Sequence, residues 1–210
     1  MHRLRILRRR ERPHFSKNAR SEALGTVSLL RDGQGSALLE FAITLPLLVV
    51  FVVGIYDFSG AFNQKQKIEQ AAQEGAIIAG AQPMSDIQSI AGSNPTSLQT
   101  VATAVFNSLV GSGVLAGGAC SPPGTTPGPT GLTWVYTITG CGSARDNLVI
   151  TINRGLVSAT TTSVFVVGTV VTVQYPYHWR FNSVIQSLIP GASYAATTQV
   201  TESATVHNQM

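Results

Sequence analysis

The chain has 210 residues, 44% of them apolar and only 11% charged. That is room for one domain of ordinary size plus appendages, and it excludes both disorder throughout and a highly charged soluble surface. Residues 1–35 hold nine basic side chains against three acids, a net of +6, which leaves residues 36–210 at −2 within the total of +4; the alkaline pI belongs to a short N-terminal segment, and nucleic acid is not an expected partner of the folded part.

A basic segment followed by a hydrophobic one reads as membrane topology. Phe41 to Tyr56 is an uncharged run of 16 residues, short for a span of about 20, and Ser36–Leu39 and Phe58–Phe62 supply the missing length. The cations before the span place the N-terminus in the cytoplasm and everything after about residue 60 outside. Tyr56, Phe58 and Phe62 fall where an outer aromatic belt would sit. A nucleic-acid arm or a transit peptide explains the arginines less cheaply than the positive-inside rule. A signal-peptidase cut after Ala61, in the small-x-small pattern Ser59-Gly60-Ala61, is the rival reading of the apolar run.

From Gln64 to Gln82 helix formers dominate, and Ile68, Ala71, Ala72, Gly75, Ile78 and Ala79 recur at helical spacing. The span and this amphipathic stretch predict one rod from about Ala37 to Ala81, roughly 68 Å at about 1.5 Å per residue, stopped by Pro83. Pro46 should kink its buried half, since it removes a backbone donor and crowds the preceding turn. Pro95-Thr96-Ser97 opens a second helix with Leu98, Val101, Ala102, Val105, Phe106 and Leu109 on one face. Residues 111–131, with seven glycines and four prolines, read as a long loop.

Beyond the loop the period changes to two. Trp134, Tyr136 and Ile138 alternate in one run, and Leu148, Ile150 and Ile152 in the next. Val171, Val173, Tyr175, Tyr177, Trp179 and Phe181 share a face in a third, and Tyr194 to Val206 forms a weaker fourth. The expected fold is α+β: a membrane-spanning helix continuing as an amphipathic one, a second helix, then an antiparallel sheet of about four strands. The expected segments are a basic cytoplasmic leader (1–35), the transmembrane and amphipathic helix (36–83) and a periplasmic α+β domain (84–210).

Cys120 and Cys141 flank the loop and the first strand, and in an oxidising periplasm two such cysteines are expected to pair; two buried free thiols are the alternative. Catalytic and metal-binding patterns are missing: there is no G-x-S-x-G or C-x-x-C, and His2, His14, His178 and His207 are scattered. Gly111-Ser-Gly113-Val-Leu-Ala116 matches a loose dinucleotide fingerprint but follows a helix and enters a loop. No enzyme activity, cofactor or metal is expected. The row from Tyr175 to Phe181 reads as a strand face packing into the core, with docking of a partner or lipid heads as the alternative.

One acid stands apart, Glu40 at the head of the uncharged run. Gly35-Ser36-Ala-Leu-Leu-Glu40-Phe41 resembles the processing site of type IV prepilins and pseudopilins. Glu40 to Pro46, Gly54-Ile-Tyr-Asp57-Phe58 and Ala71-Ala-Gln-Glu74-Gly75-Ala76 resemble the TadE-like family of pseudopilins from tight-adherence (Flp) pilus systems. Val173-Gln-Tyr-Pro176-Tyr and Ser203-Ala-Thr-Val206-His-Asn208 are similar to the family's C-terminal end, although His207 and Gln209 stand where it often has arginine and glutamate.

The resemblance implies a minor, non-enzymatic component of pilus assembly in the inner membrane, acting with other pilins or pseudopilins and the assembly platform. It implies cleavage by a prepilin peptidase between Gly35 and Ser36. The new α-ammonium on Ser36 would then lie one helical turn from Glu40, its own or a neighbour's. At about 4 Å and an effective dielectric of about 20, the attraction is on the order of 4 kcal/mol before desolvation. A carboxylate reaching the cytoplasmic interface without a partner is the plain alternative. The competing class is a membrane-anchored periplasmic enzyme or ligand-binding domain unrelated to pili.

Overall fold

The computed structural model describes residues 33–87, 95–115, 120–125, 127–128, 130–161, 164–188, 191 and 197–209. Most of the basic leader, residues 1–32, and the expected start of the last strand at 194–196 lie outside the described residues. The first element, α1, runs over Gly33–Ala81 and passes through Pro46. The chain divides into two compact units, Met1–Val49 and Val50–Met210.

In the first unit every side chain from residue 35 to 49 is exposed; Leu38 is 72% and Ile43 68% accessible. An α-helix satisfies its own backbone, so one that is apolar on every side and uncovered is suited to lipid. It is long and apolar enough to cross a membrane.

In the second unit α1 becomes amphipathic. Ile68, Ala71, Ala72, Gly75 and Ala79 of the face that helical spacing marks are buried, Ile78 is half-buried, and Ala76 is buried beside them. A short 3-10 turn, Ser85–Ile87, leads to α2, Thr96–Gly111, whose buried face includes Leu98, Val101, Ala102, Val105, Phe106 and Leu109. The N-terminus of α2 receives its cap from that turn: the Asp86 carboxylate accepts the Ser97 amide at 3.0 Å. At the other end Gly113, at φ 75°, donates to Val110 and Val114 donates to Leu109, each at 3.0 Å. That is the paired bonding of a Schellman cap, and it accounts for Gly113 without a nucleotide.

Four antiparallel strands follow in the order β1–β2–β3–β4: β1 Thr133–Cys141, β2 Asp146–Thr161, β3 Val164–His178 and β4 Thr197–His207. Register brings Trp134 opposite Ile152, Tyr136 opposite Ile150 and Ile138 opposite Leu148, then Ile150 opposite Val173 and Ile152 opposite Val171. All of these are buried, so the period-two rows are the sheet's inner face. The alternation breaks once in β1: a register shift between Ile138 and Cys141, with Gly140 at φ 77°, buries both residues although they are three apart. A bulge re-aims a side chain in this way, and it turns Cys141 inward.

The third apolar row departs from expectation at its end. β3 stops at His178, the last residue paired with β4, and Phe181 opens a further helix, α3, Phe181–Leu188. Trp179 and Phe181 therefore do not extend the strand face. There the Phe181 amide, at the start of α3 where a helix leaves its amides without intrahelical acceptors, bonds instead to the Asp57 carboxylate of α1 at 2.7 Å.

Glycines set how closely α1 approaches its neighbours within this unit. A Cβ on Gly75 would collide with Val105 of α2 and come within 3.3 Å of Val171 of β3. On Gly80 it would stand 2.8 Å from Val206 of β4, and on Gly60 2.7 Å from the Tyr177 hydroxyl. At Gly75, then, α1 contacts both α2 and the sheet.

Candidate functional site

The residues expected to act in processing lie at the start of α1. Gly35, Ser36 and Glu40 are exposed, and a Cβ on Gly35 would meet nothing within 4 Å. Ser36 and Glu40 are four apart on one helix, hence one above the other on the same face. The Gly35–Ser36 bond lies within α1, close to the first of the described residues. Pro46 deprives the Ala42 carbonyl of its usual donor; two residues before it, the Thr44 hydroxyl donates back to the Phe41 carbonyl at 3.2 Å.

The strongest polar constellation is elsewhere, at Asp57. This is the one acid in the apolar stretch of α1 beyond Glu40, and it is 2% exposed. Its Oδ1 accepts the Tyr177 hydroxyl at 2.8 Å and its Oδ2 the Phe181 amide, so both carboxylate oxygens are used. Burial first, then the hydrogen bond and charge of Asp57, push the Tyr177 phenol up to about 12. Trp179 covers the junction, edge-on to Phe58 at 5.2 Å and to Tyr177 at 5.1 Å, while its indole donates to Thr198 at 2.6 Å. Further along α1, Gln64 donates to the Pro176 carbonyl at 3.1 Å. The end of β3 and the start of α3 are thus fastened to α1.

Beside the junction opens a groove of about 750 Å³, bordered by Tyr56, Lys67, Asp146, His178 and Arg180 among others. His178 Nε2 lies 2.7 Å from Asp146 Oδ2. Among the described residues no group of three His, Cys, Asp or Glu side chains is placed to hold a metal.

Two further ties secure the far end of α1. Arg154 continues the inward row of Leu148, Ile150 and Ile152 and is fully buried; it donates to the carbonyls of Gln82 at 2.9 Å and Pro83 at 3.4 Å. Burial pushes the pKa of its guanidinium down and the charge of Asp86 raises it. The last described residues close the same corner: the Gln209 amide donates to Gly80 at 3.0 Å, and Thr169 donates to Asn208 at 2.6 Å. Cys120 and Cys141 are joined by a disulfide.

Sequence reasoning assigned Asp57 and Arg154 no role and read Tyr177 as part of a strand face packing into the core, whereas it is half-buried and bonds to Asp57. Asp57 carried a legible signal, since an acid flanked by Tyr56 and Phe58 at the end of an apolar run demands a partner. Arg154 carried one as well, a cation where an inward strand row calls for an apolar residue. Neither signal names the partner, which lies 120 residues away for Asp57 and Tyr177.

Among the described residues one helix is long and apolar enough to cross a membrane, and its continuation is packed in an α+β unit; this combination points to membrane anchoring. The family model described as TadE-like protein matches residues 35–76, so the likeness read from Gly35, Glu40, Pro46, Asp57 and Gly75 holds over that segment. The match points to tight-adherence pilus assembly. It ends before the strands, and the likeness at Val173–Tyr177 and Ser203–Asn208 lies outside it. No curated protein and no solved structure matches the chain.

Proposed function

We infer that this protein is a minor pseudopilin-like component in the assembly of tight-adherence pili, a non-enzymatic part held in the inner membrane by α1. The N-terminus faces the cytoplasm, the α+β unit the periplasm. The observation that carries the reading is the coincidence of the TadE-like match, residues 35–76, with a helix that is apolar and uncovered over its first half. A prepilin peptidase cuts between Gly35 and Ser36, which requires the first turn of α1 to open into an extended strand; a glycine without Cβ offers the least obstruction to that approach. The ammonium so created pairs with Glu40 of the same or a neighbouring subunit and rewards correct registry with other pilins on the assembly platform.

Intact-mass measurement on membranes of the native host tests the processing step. The expected mature chain starts at Ser36. A chain starting at Met1 removes the ammonium from the account, and one starting at Phe62 replaces the anchor with a cleaved signal peptide.

A further inference from the structure

The apolar surface of α1 does not end where the folded unit begins. Within the second unit Phe51, Val52, Ile55, Tyr56 and Phe58 are each more than half exposed, and Asp57 between them is buried where Tyr177 of β3 and Phe181 of α3 bond to it. The start of α3 is therefore level with the last part of the exposed apolar stretch. α3 itself, Phe181-Asn-Ser-Val-Ile-Gln-Ser-Leu188, has apolar residues at i, i+3, i+4 and i+7, one stripe of a helix. Val184 and Ile185 on that stripe are half-buried, and among the described residues neither is part of the core cluster or of the side chains packed on it. Just before α3 stand Trp179, with an aromatic body and an indole N–H bonded to Thr198, and Arg180, which is exposed. An aromatic, a cation and a short amphipathic helix at the end of a membrane span are the components of an interfacial anchor.

We propose that Trp179, Arg180 and α3 form a lipid-contacting foot that lies in the headgroup layer of the membrane crossed by α1, with Arg180 directed to lipid phosphates and Val184 and Ile185 to the acyl boundary. Its occupant is the bilayer surface, argued from continuity with the exposed apolar face of α1 and from the cation beside it. The Asp57 junction then fixes the height of the α+β unit above the membrane, because it ties the foot to one residue of the span. The proposal rests on α1 crossing the membrane and is independent of any role in pili.

The test is fluorescence quenching of the full chain reconstituted in vesicles of phosphatidylcholine and phosphatidylglycerol, with spin labels placed either near the headgroup or near the end of the acyl chain. Trp134 is buried in the core and forms a constant background. Trp179 emission, taken as the difference between wild type and Trp179→Phe, should be lost to the shallow label and little affected by the deep one. Val184→Asp combined with Ile185→Asp should reduce that loss, since these side chains lie outside the core. A Phe51→Trp reporter in the Trp179→Phe chain should be quenched chiefly by the deep label, which establishes the span separately. Quenching of the Phe51→Trp reporter without quenching of Trp179 overturns the foot and leaves the anchor standing. Loss of both signals overturns the two together.

Discussion

Two acids in one apolar helix have opposite surroundings, and the difference decides what each can do. Glu40 is exposed, which leaves its carboxylate accessible to the partner proposed above. Asp57 is buried and already holds two donors. Charge-assisted hydrogen bonds of this kind contribute roughly 1.5–3 kcal/mol each, so Asp57→Asn, which keeps the shape, should lower the thermal midpoint of the α+β unit in nanodiscs. It should also bring the Tyr177 phenol down from about 12 towards its ordinary value, read by phenolate absorbance against Tyr177→Phe. The sign of the pH dependence follows from a folded-state pKa raised above the unfolded one of 10.0. The Tyr177 contribution is fully present below pH 10.0 and is lost as pH rises towards about 12. An alkaline unfolding profile unchanged by Tyr177→Phe would contradict the arrangement.

Glycine offers a second contrast at the same scale. Ala is favoured over Gly in a helix interior by about 1 kcal/mol, and at Gly54, where a Cβ meets nothing within 4 Å, that preference has no opponent. At Gly75 the added methyl collides with Val105, a fully buried residue with no room to retreat. Overpacking of a filled core costs typically about 1–3 kcal/mol, so Gly75→Ala should lower stability while Gly54→Ala does not. Equal melting of the two variants would contradict the close meeting of α1, α2 and β3 at Gly75.

Among the elements, those with a sustained period were legible. The six apolar residues that mark the face of α2 are all buried, and the inner rows of β1, β2 and β3 are the alternating ones. Two features were not. α3 is too short for its period to register against the preceding aromatic alternation, and the acceptor of its first amide, Asp57, is distant in sequence. The bulge before Cys141 is equally silent in sequence, although Gly140 and Gly142 at positive φ are its local cause. The position of Cys141 that results makes a further expectation concrete. Closing a separation of 21 residues should stabilise the unit by about 3 kcal/mol, mainly through the unfolded chain. Cys120→Ser with Cys141→Ser should lower the denaturant midpoint accordingly, and thiol labelling of the wild-type chain from the native host, denatured without reductant, should find neither cysteine free. Two labelled thiols would place the chain in a reducing setting.

For the whole molecule, α1 is apolar and exposed over residues 35–49, whereas from Ile68 onward its inward face is part of a folded core. The processing and registry roles proposed for the N-terminal end rest on residues close in sequence, Gly35 to Glu40. The fastening of the α+β unit to the helix was not legible in the sequence, because Asp57 with Tyr177 and Arg154 with Gln82 join segments far apart in the chain. The central claim is that the assembled helix acts in pilus construction through Glu40, and surface pili per cell in the native host measure it most directly. In a strain lacking the chain, wild type should restore piliation, while Glu40→Gln, present in the membrane at the same level, should not. Gly35→Leu should be equally deficient, and the double variant no worse than either, since both changes remove one ion pair. Normal piliation in the strain lacking the chain, or full restoration by Glu40→Gln, would contradict the account.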